Sequence, residues 1–316
     1  MTPNAKESSQ CFKLPPGKIA VVVGGTTPVG VSITRRLASL GCSRVITIGK
    51  YEKQGNEKLE DIKETYQGQV VLEFVEEDLS CVKGIKDAFS SFQQAWGDDK
   101  VDYLIMSQSG PPTGIINLNE DGEGTEFTIQ VISRFLLAYL FIKEQLLRSE
   151  AGVMFIGNPG LNYDLDVEDL SLKKVAEGGR YKPLIALDQT SRDSTVLDSI
   201  TLEFSSRYPQ YNFYHVLQGL VKTSLFNIPN LPFPFPLNYL AGIGLIGSPI
   251  TSDEVADIPL YLLVHPEAKE QLGNGLFWNY KLQSESPGAW ASDAGNRGKL
   301  WDKLCGMIVE GGQSAP

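Results

Sequence analysis

The chain has 316 residues, a net charge of −10, 21% charged residues and 42% hydrophobic residues, values typical of a globular protein large enough to bury its own core. The negative charge argues against nucleic acid and anionic membranes, so we expect neither as a partner. Two histidines and four widely spaced cysteines without a CxxC motif predict free thiols and no metal site.

The segment before Ile19 is polar, contains Pro15 and Pro16, and lacks the apolar stretch of a signal peptide. We find no apolar run long enough to span a bilayer and therefore expect a cytoplasmic protein. Residues 1–16 are predicted to form a flexible tail. Residues 17–316 are predicted to form a single domain, because no repeat or Pro/Gly/Ser-rich linker divides them.

Hydrophobic periodicity predicts alternating strands and helices along the chain. The expected strands are 19–23, 44–48, 70–75, 101–106, 153–156, 213–217 and 276–280. The expected helices are 28–40, 56–66, 82–96, 125–148, 184–207, 251–264 and 298–307, the sixth beginning with Thr251 and Glu254 at capping-box spacing. This order predicts an α/β fold, a Rossmann-type doubly wound parallel sheet with helices on both faces.

A glycine-rich turn, residues 24–27, separates the first strand from the first helix. Thr27 is suited to cap that helix, and Pro28 is suited to its first position. Glycines let phosphates approach the backbone, and the helix N-terminus offers free N–H groups and a positive dipole end. Strand, turn and helix in this order indicate a site for a dinucleotide pyrophosphate.

In this turn and in the elements after it, the sequence resembles the short-chain dehydrogenase/reductase family over nearly its whole length. The family's TGxxxGxG turn corresponds to residues 23–30, VGGTTPVG, with Pro28 in place of the middle glycine. Residues 107–110, SQSG, match the family's NNAG, and residues 218–223, QGLVKT, match its PGxVxT. The spacing from Gly157 to Asp188 resembles the retinol-dehydrogenase-like branch, and the general likeness is to divergent members of fungal secondary metabolism.

The resemblance implies NADP(H) as the cofactor. Lys50 follows the second strand, where NADP-preferring members carry a basic residue for the 2′-phosphate, although a solvated lysine is an equal alternative. Pro28 has no N–H to offer a phosphate, which leaves the hydroxyls of Thr26 and Thr27 as additional polar groups. The implied cofactor-binding residues are Gly24, Thr26, Thr27, Gly30, Lys50, Asp78, Ser107, Gly110, Gly219 and Thr223.

The family's catalytic tetrad of Asn, Ser, Tyr and Lys is replaced at every matching position. The asparagine position is Gln130, the serine position is Gly157 or Asn158, and the tyrosine and lysine positions are Asp188 and Arg192. Asp188 and Arg192 are four residues apart and are expected to share a helix face, either as a surface ion pair or as a pair at the nicotinamide end of the pocket. Arg134 is a further candidate, for which an exposed helix charge is the favoured interpretation.

An aspartate paired with an arginine is a poor proton donor, so carbonyl reduction of the usual kind is not expected. Imine reduction suits a carboxylate because a carboxylate stabilises a cationic substrate. Residues 224–250 are predicted to form an apolar lid, since prolines alternate there with large apolar residues. We therefore expect an apolar small-molecule substrate, with a membrane-surface contact or a simple core cover as alternatives for the lid.

Three functions remain open from the sequence. The first is an NADP(H)-binding biosynthetic enzyme with non-standard catalysis, such as imine or enone reduction of a secondary metabolite. The second is a non-redox cyclase or isomerase, and the third is a non-catalytic nucleotide-binding protein. The long helices around Phe135 and Val196 either form a homodimer bundle, as in relatives, or merely cover the sheet.

Overall fold

The computed structural model describes residues 12–96, 99–110, 112–217 and 255–308. Its seven strands form one parallel sheet in the order β3-β2-β1-β4-β5-β6-β7. They are β1 (Ile19–Val23), β2 (Arg44–Gly49), β3 (Val71–Glu76), β4 (Val101–Met106), β5 (Leu147–Ile156), β6 (Asn212–Val216) and β7 (Phe277–Trp278). The predicted α/β Rossmann-type sheet is confirmed, because every pairing between neighbouring strands is parallel.

Helices cover both faces of this sheet. They are α1 (Pro28–Ser39), α2 (Glu52–Thr65), α3 (Val82–Trp96), α4 (Thr125–Phe127), a π-helix (Thr128–Ile132), α5 (Ser133–Lys143), α6 (Lys173–Glu177), α7 (Lys182–Arg207), α8 (Asp257–Val264), α9 (Pro266–Leu272), α10 (Ala289–Ser292) and α11 (Ala294–Ile308). One apolar cluster packs α3, α5, α7 and α11 against the sheet, and a second packs α1, α2 and α8 against the other face. Strands buried on both faces explain the continuous apolar runs in the sequence.

The long helix predicted over 125–148 ends earlier than expected. α5 stops at Lys143, Gln145 takes a left-handed conformation with φ 55°, and the amide of Leu146 bonds the carbonyl oxygen of Phe141. The chain then enters β5 at Leu147, six residues before the predicted start. The charged residues at 148–150 resemble a helix surface, but they belong to the exposed, amino-terminal part of a long strand.

The N-terminal boundary of the fold also differs from the prediction of a tail over 1–16. Leu14 is buried, and its amide bonds the carbonyl oxygen of Leu40. Phe12 packs on His265 with ring centroids 4.8 Å apart. Phe12 and Leu14 therefore pack on the domain, and residues 1–11 lie outside the described part of the chain.

One helical stretch, Thr125–Lys143, is long and apolar enough by length and composition to cross a membrane. The statement from sequence that no such run exists is therefore wrong. The structure accounts for this apolar character, because 67% of the stretch's apolar window is buried inside the protein, as expected for a core helix.

The face of α5 and α7 that the sequence offered for a homodimer is covered by the chain itself. Phe135 and Val196 are fully buried. Trp301 of α11 packs edge-on against Phe135, with ring centroids 5.0 Å apart. Both residues therefore pack within the domain, beneath α11 at Phe135, and the homodimer stays a prediction.

Candidate functional site

The predicted cofactor-binding residues that fall in the described part of the chain gather at one edge of the sheet. In a parallel sheet the carboxyl ends of all strands meet at the same edge, where dinucleotides bind in folds of this type. β1 leads into the glycine turn, β2 into Lys50, β3 toward Asp78, and β4 into Ser107 and Gly110. Gly219 and Thr223 and the predicted lid over 224–250 lie outside the described residues.

The glycine turn has the close backbone approaches that exclude side chains. Gly24 has φ +85°, and a Cβ on it would lie 2.5 Å from the amide nitrogen of Gln108. A Cβ on Gly30 would lie 2.3 Å from the carbonyl oxygen of Gly24. Thr27 caps α1, because its hydroxyl accepts from the Gly30 amide at 3.0 Å and donates to the Gly24 carbonyl oxygen at 2.8 Å. The turn therefore has the tight strand–turn–helix packing that dinucleotide-binding folds require of their glycines.

Few amides of this turn are left for a phosphate. The amides of Gly24 and Gly25 both bond the carbonyl oxygen of Ile48. The amides of Thr27 and Gly30 are bonded within the turn, and Pro28 has no N–H. Within the described residues, this leaves the amides of Thr26 and Val29 as the turn's donors, consistent with the prediction that Pro28 reduces phosphate contacts.

Lys50 and Asp78 meet at the outer side of the same edge. Lys50 Nζ lies 2.8 Å from Asp78 Oδ2, and both side chains are about half exposed. This hydrogen bond raises the pKa of Lys50. Desolvation raises the pKa of Asp78, but the hydrogen bonds from Lys50 and Ser80 outweigh it and leave the pKa below its usual value. A 2′-phosphate bound by Lys50 would compete with Asp78.

The segment after β4 is held on the helix beyond it. The amide of Gly110 donates to Gln130 Oε1 at 3.2 Å, and Gln108 Nε2 donates to Ser133 Oγ at 2.9 Å. Gly110 tolerates no side chain, since a Cβ would lie 2.3 Å from the Glu126 carbonyl oxygen. Gln130 lies in the π-helix, a wide turn that often marks functional sites.

Arg134 is buried, contrary to the sequence-based interpretation as an exposed helix charge. Its exposed fraction is 1%, and Nη2 donates to the carbonyl oxygen of Gln108 at 2.6 Å. The π-helix precedes α5 and changes the register of the helix, which a uniform periodicity does not anticipate. Desolvation lowers the pKa of Arg134 to about 9, while Asp193 opposes that shift.

Asp188 and Arg192 do not form the ion pair that their spacing predicted. Asp188 pairs instead with Arg180, whose Nε lies 2.5 Å from Oδ2. Arg192 turns inward: its exposed fraction is 1%, its Nε donates to Asp193 Oδ1 at 2.8 Å, and Nη1 donates to the Leu170 carbonyl oxygen. The prediction failed because the buried groups around Arg192 supply its partners.

Asp193 is a buried acid that the sequence analysis did not select. Burial raises its pKa to about 6, although Arg192 and Arg134 both favour the ionised form. Its only sequence signal is its position beside Arg192. A carboxyl group with such a pKa can exchange a proton near neutral pH. Asp193 is therefore a titratable group of the buried cluster that also contains Arg192 and Arg134.

The position of the family's serine is closed by a histidine. A Cβ on Gly157 would lie 2.4 Å from His215 Nε2, so only glycine fits there. His215 is fully buried, and its Nδ1 lies 2.7 Å from Asp198 Oδ1. Asn158 is partly exposed, and its carbonyl oxygen accepts from Ser194 Oγ. Among the described residues, no cluster of three or more potential metal ligands occurs.

Known proteins resemble this chain in sequence and in fold, although no family model matches it. It is 27% identical to an oxidoreductase of Emericella nidulans over 232 residues, which are 71% of this chain but only 65% of that protein. It is 25% identical to the polyprenol dehydrogenase of Homo sapiens over 309 residues, 92% of this chain and 85% of the relative.

A solved structure of NADPH-bound carbonyl reductase from chicken fatty liver has the same fold, with a TM-score of 0.58 and 16% identity. The comparison covers 89% of this chain and 97% of that one. The class of protein that fold and site edge define is therefore a Rossmann-type α/β protein. The sequence relatives add a likeness to proteins named oxidoreductase and dehydrogenase, which agrees with the family resemblance predicted from the sequence.

Proposed function

We propose that this protein is an NADP(H)-binding oxidoreductase that acts on an apolar small molecule, with catalysis that does not use a Tyr-Lys pair. The observation that carries the proposal is the glycine turn after β1, which packs so tightly on the β4 exit that neither Gly24 nor Gly30 can carry a side chain, as in the turn beside which dinucleotide-binding folds hold the pyrophosphate. The sequence similarity to oxidoreductases supports the redox class.

Lys50 supports the choice of NADP(H) over NAD(H). Its ammonium group lies at the end of β2, beside the position where the adenosine ribose would be held by a fold of this type. Its acidic partner Asp78 is itself about half exposed and can be displaced by a phosphate. The bound nucleotide would supply a hydride to the substrate.

Exposed apolar side chains beside Asp188 support an apolar substrate. Tyr181, Leu184 and Leu187 of the α7 N-terminal region are 57%, 42% and 51% exposed. The neighbouring loop is fixed to α7, because Gln189 Oε1 accepts from the Gly114 amide at 2.9 Å. The named substrate of one relative, polyprenol, is also apolar.

The chemistry follows from which groups can reach the site edge. Arg192 is buried and has protein partners, and Asp188 is ion-paired to Arg180, so neither reproduces a tyrosine that donates a proton to an oxygen. Asp188 can stabilise an iminium cation, because its side chain keeps 12% exposure on the apolar face. Imine or enone reduction is therefore favoured over carbonyl reduction.

The test is NADPH oxidation with 2-phenyl-1-pyrroline as an imine and chalcone as an enone, followed at 340 nm. The proposal expects turnover with one of them, and a loss of roughly tenfold or more for the imine in Asp188→Asn. Asp61→Asn is the matched control, since Asp61 is also paired with an arginine, Arg35, but on the surface of α2. Turnover unchanged in Asp188→Asn would contradict the role of the carboxylate.

A non-redox cyclase or isomerase is the second candidate, and the orientation of Arg192 favours it. With this side chain directed into the core, the site lacks a cation at the position of the family's lysine. Such an enzyme needs positioning and acid–base help only. Product formation without nucleotide turnover would establish this candidate in place of the reductase.

A further inference from the structure

A cavity lies at the opposite edge of the sheet from the candidate site. It has a volume of about 650 Å³ and is formed where α5 and α7 end, where β5 begins and where α11 crosses them. β5 runs from Leu147 at this cavity to Ile156 at the candidate site, a separation of about 30 Å. The size is within the range of pockets that hold a small organic molecule.

The walls of the cavity are aromatic rings fixed by the core. Trp301 packs edge-on against Phe135 and Phe204, with centroids 5.0 Å from each. Tyr139 stacks on Phe135 and Tyr208 packs on Phe204, both at 6.2 Å. These rings are therefore held in place before any ligand arrives, which lowers the entropic cost of binding.

Three cations border the cavity, and no carboxylate does among the described residues that line it. The guanidinium of Arg207 lies over the Trp301 ring at 4.4 Å and is held by Glu203 at 2.9 Å. Lys100 Nζ donates to the Gln145 carbonyl oxygen at 2.7 Å, and Lys143 is exposed at the rim.

Polar groups face one another inside the cavity. Burial, and then the proximity of Cys305 and Tyr208, raises the pKa of Tyr139. The same thiol acts on Tyr208, where burial raises the pKa and Arg207 opposes the shift. Tyr139, Tyr208 and Cys305 all line the cavity, and phenol hydroxyls can donate hydrogen bonds to an anion.

We propose that this cavity binds a planar aromatic carboxylate, with the ring against Tyr139 and Tyr208 and the carboxylate among Lys100, Lys143 and Arg207. Cations select the negative charge, and the aromatic walls select a flat apolar body. The proposal does not depend on the proposed oxidoreductase function. The ligand of this cavity is chemically distinct from an apolar substrate at the other edge.

The test is calorimetric titration of the full chain with 1-naphthoate and with its neutral counterpart 1-naphthamide. We expect naphthoate to bind with a Kd below about 1 mM and naphthamide to bind at least about tenfold more weakly. Lys143→Glu should weaken naphthoate binding by about tenfold, because it reverses a charge at the rim. Lys299→Glu is the control: it changes the net charge by the same amount at an exposed position of α11 and should leave the Kd within about twofold.

Two further variants locate the probe. Tyr208→Phe removes one hydroxyl and should weaken naphthoate binding several-fold, with the thermal unfolding midpoint reported alongside as a check on folding. Asp188→Ala lies at the other edge and should leave naphthoate binding intact. Absence of binding, equal binding of the amide, or loss in Asp188→Ala with retention in Lys143→Glu would each overturn the proposal.

Discussion

Gly30→Ala is the substitution that most sharply tests the shape of the candidate nucleotide site. The new Cβ would lie 2.3 Å from the Gly24 carbonyl oxygen, 2.9 Å from the Gly24 carbonyl carbon and 3.1 Å from Ser107 Oγ. Two of these contacts are with backbone atoms, so α1 and the glycine turn must move apart. Overpacking of this kind costs about 1–3 kcal/mol, and the displacement falls on the residues that would approach the pyrophosphate.

The assay compares the NADPH dissociation constant with the free energy of unfolding in urea. We expect Gly30→Ala to weaken NADPH binding by at least about tenfold. A loss of about 1.4 kcal/mol of binding free energy at the displaced turn is enough to produce that factor. Gly298→Ala is the matched control: it lies on α11, and no atom lies within 4 Å of the added Cβ. It should leave NADPH binding unchanged and stabilise the helix by up to about 1 kcal/mol. If Gly30→Ala had the NADPH affinity and the stability of the wild type, the close approach of Gly30 to the Gly24 carbonyl oxygen would be refuted.

Three further substitutions test the cofactor preference, the buried acid and the packing of α11. Lys50→Ala should weaken NADPH binding by about tenfold and NADH binding by less than about twofold, because only NADPH carries the 2′-phosphate. Equal losses for the two nucleotides would contradict the role of Lys50. The raised pKa of Asp193, about 6 in the folded protein, means that protonation favours the folded state, so this group's contribution is present at low pH and is lost as pH rises from about 4 to 6. The free energy of unfolding in urea should therefore be about 1 kcal/mol lower at pH 7 than at pH 5, and Asp193→Asn should remove this difference. The same pH dependence in Asp193→Asn and in the wild type would contradict the prediction. Trp301→Ala should cost about 3–5 kcal/mol in urea unfolding, since a buried ring at the centre of the α11 contact is lost, and a cost below about 1 kcal/mol would contradict that packing.

The sheet was predictable because its signals are local and repeated. β1 is a fully buried apolar run, β4 is fully buried and apolar or aromatic apart from Asp102, and both have the predicted bounds. The end of α5 was not predictable, because Gln145 reverses the chain without a glycine or proline. A non-glycine residue at positive φ leaves little trace in a single sequence.

The sequence predicts which helix carries the candidate site residues, but not the directions and partners of their side chains. Sequence placed Asp188 and Arg192 on one helix, and both lie on α7. It could not show that Arg180 and Asp193 would be their partners, since those contacts depend on how the preceding loop folds back and on burial. Nor could it show that Arg134 turns inward, because that follows from the π-helix before it.

The most direct test of the account is a calorimetric titration of the purified protein with NADPH and with NADH. The account predicts micromolar binding of NADPH and weaker binding of NADH, with the two remaining turn amides and Lys50 sufficient to hold the phosphates. No binding of either nucleotide would contradict the central claim and would leave a Rossmann-type fold that works without a dinucleotide.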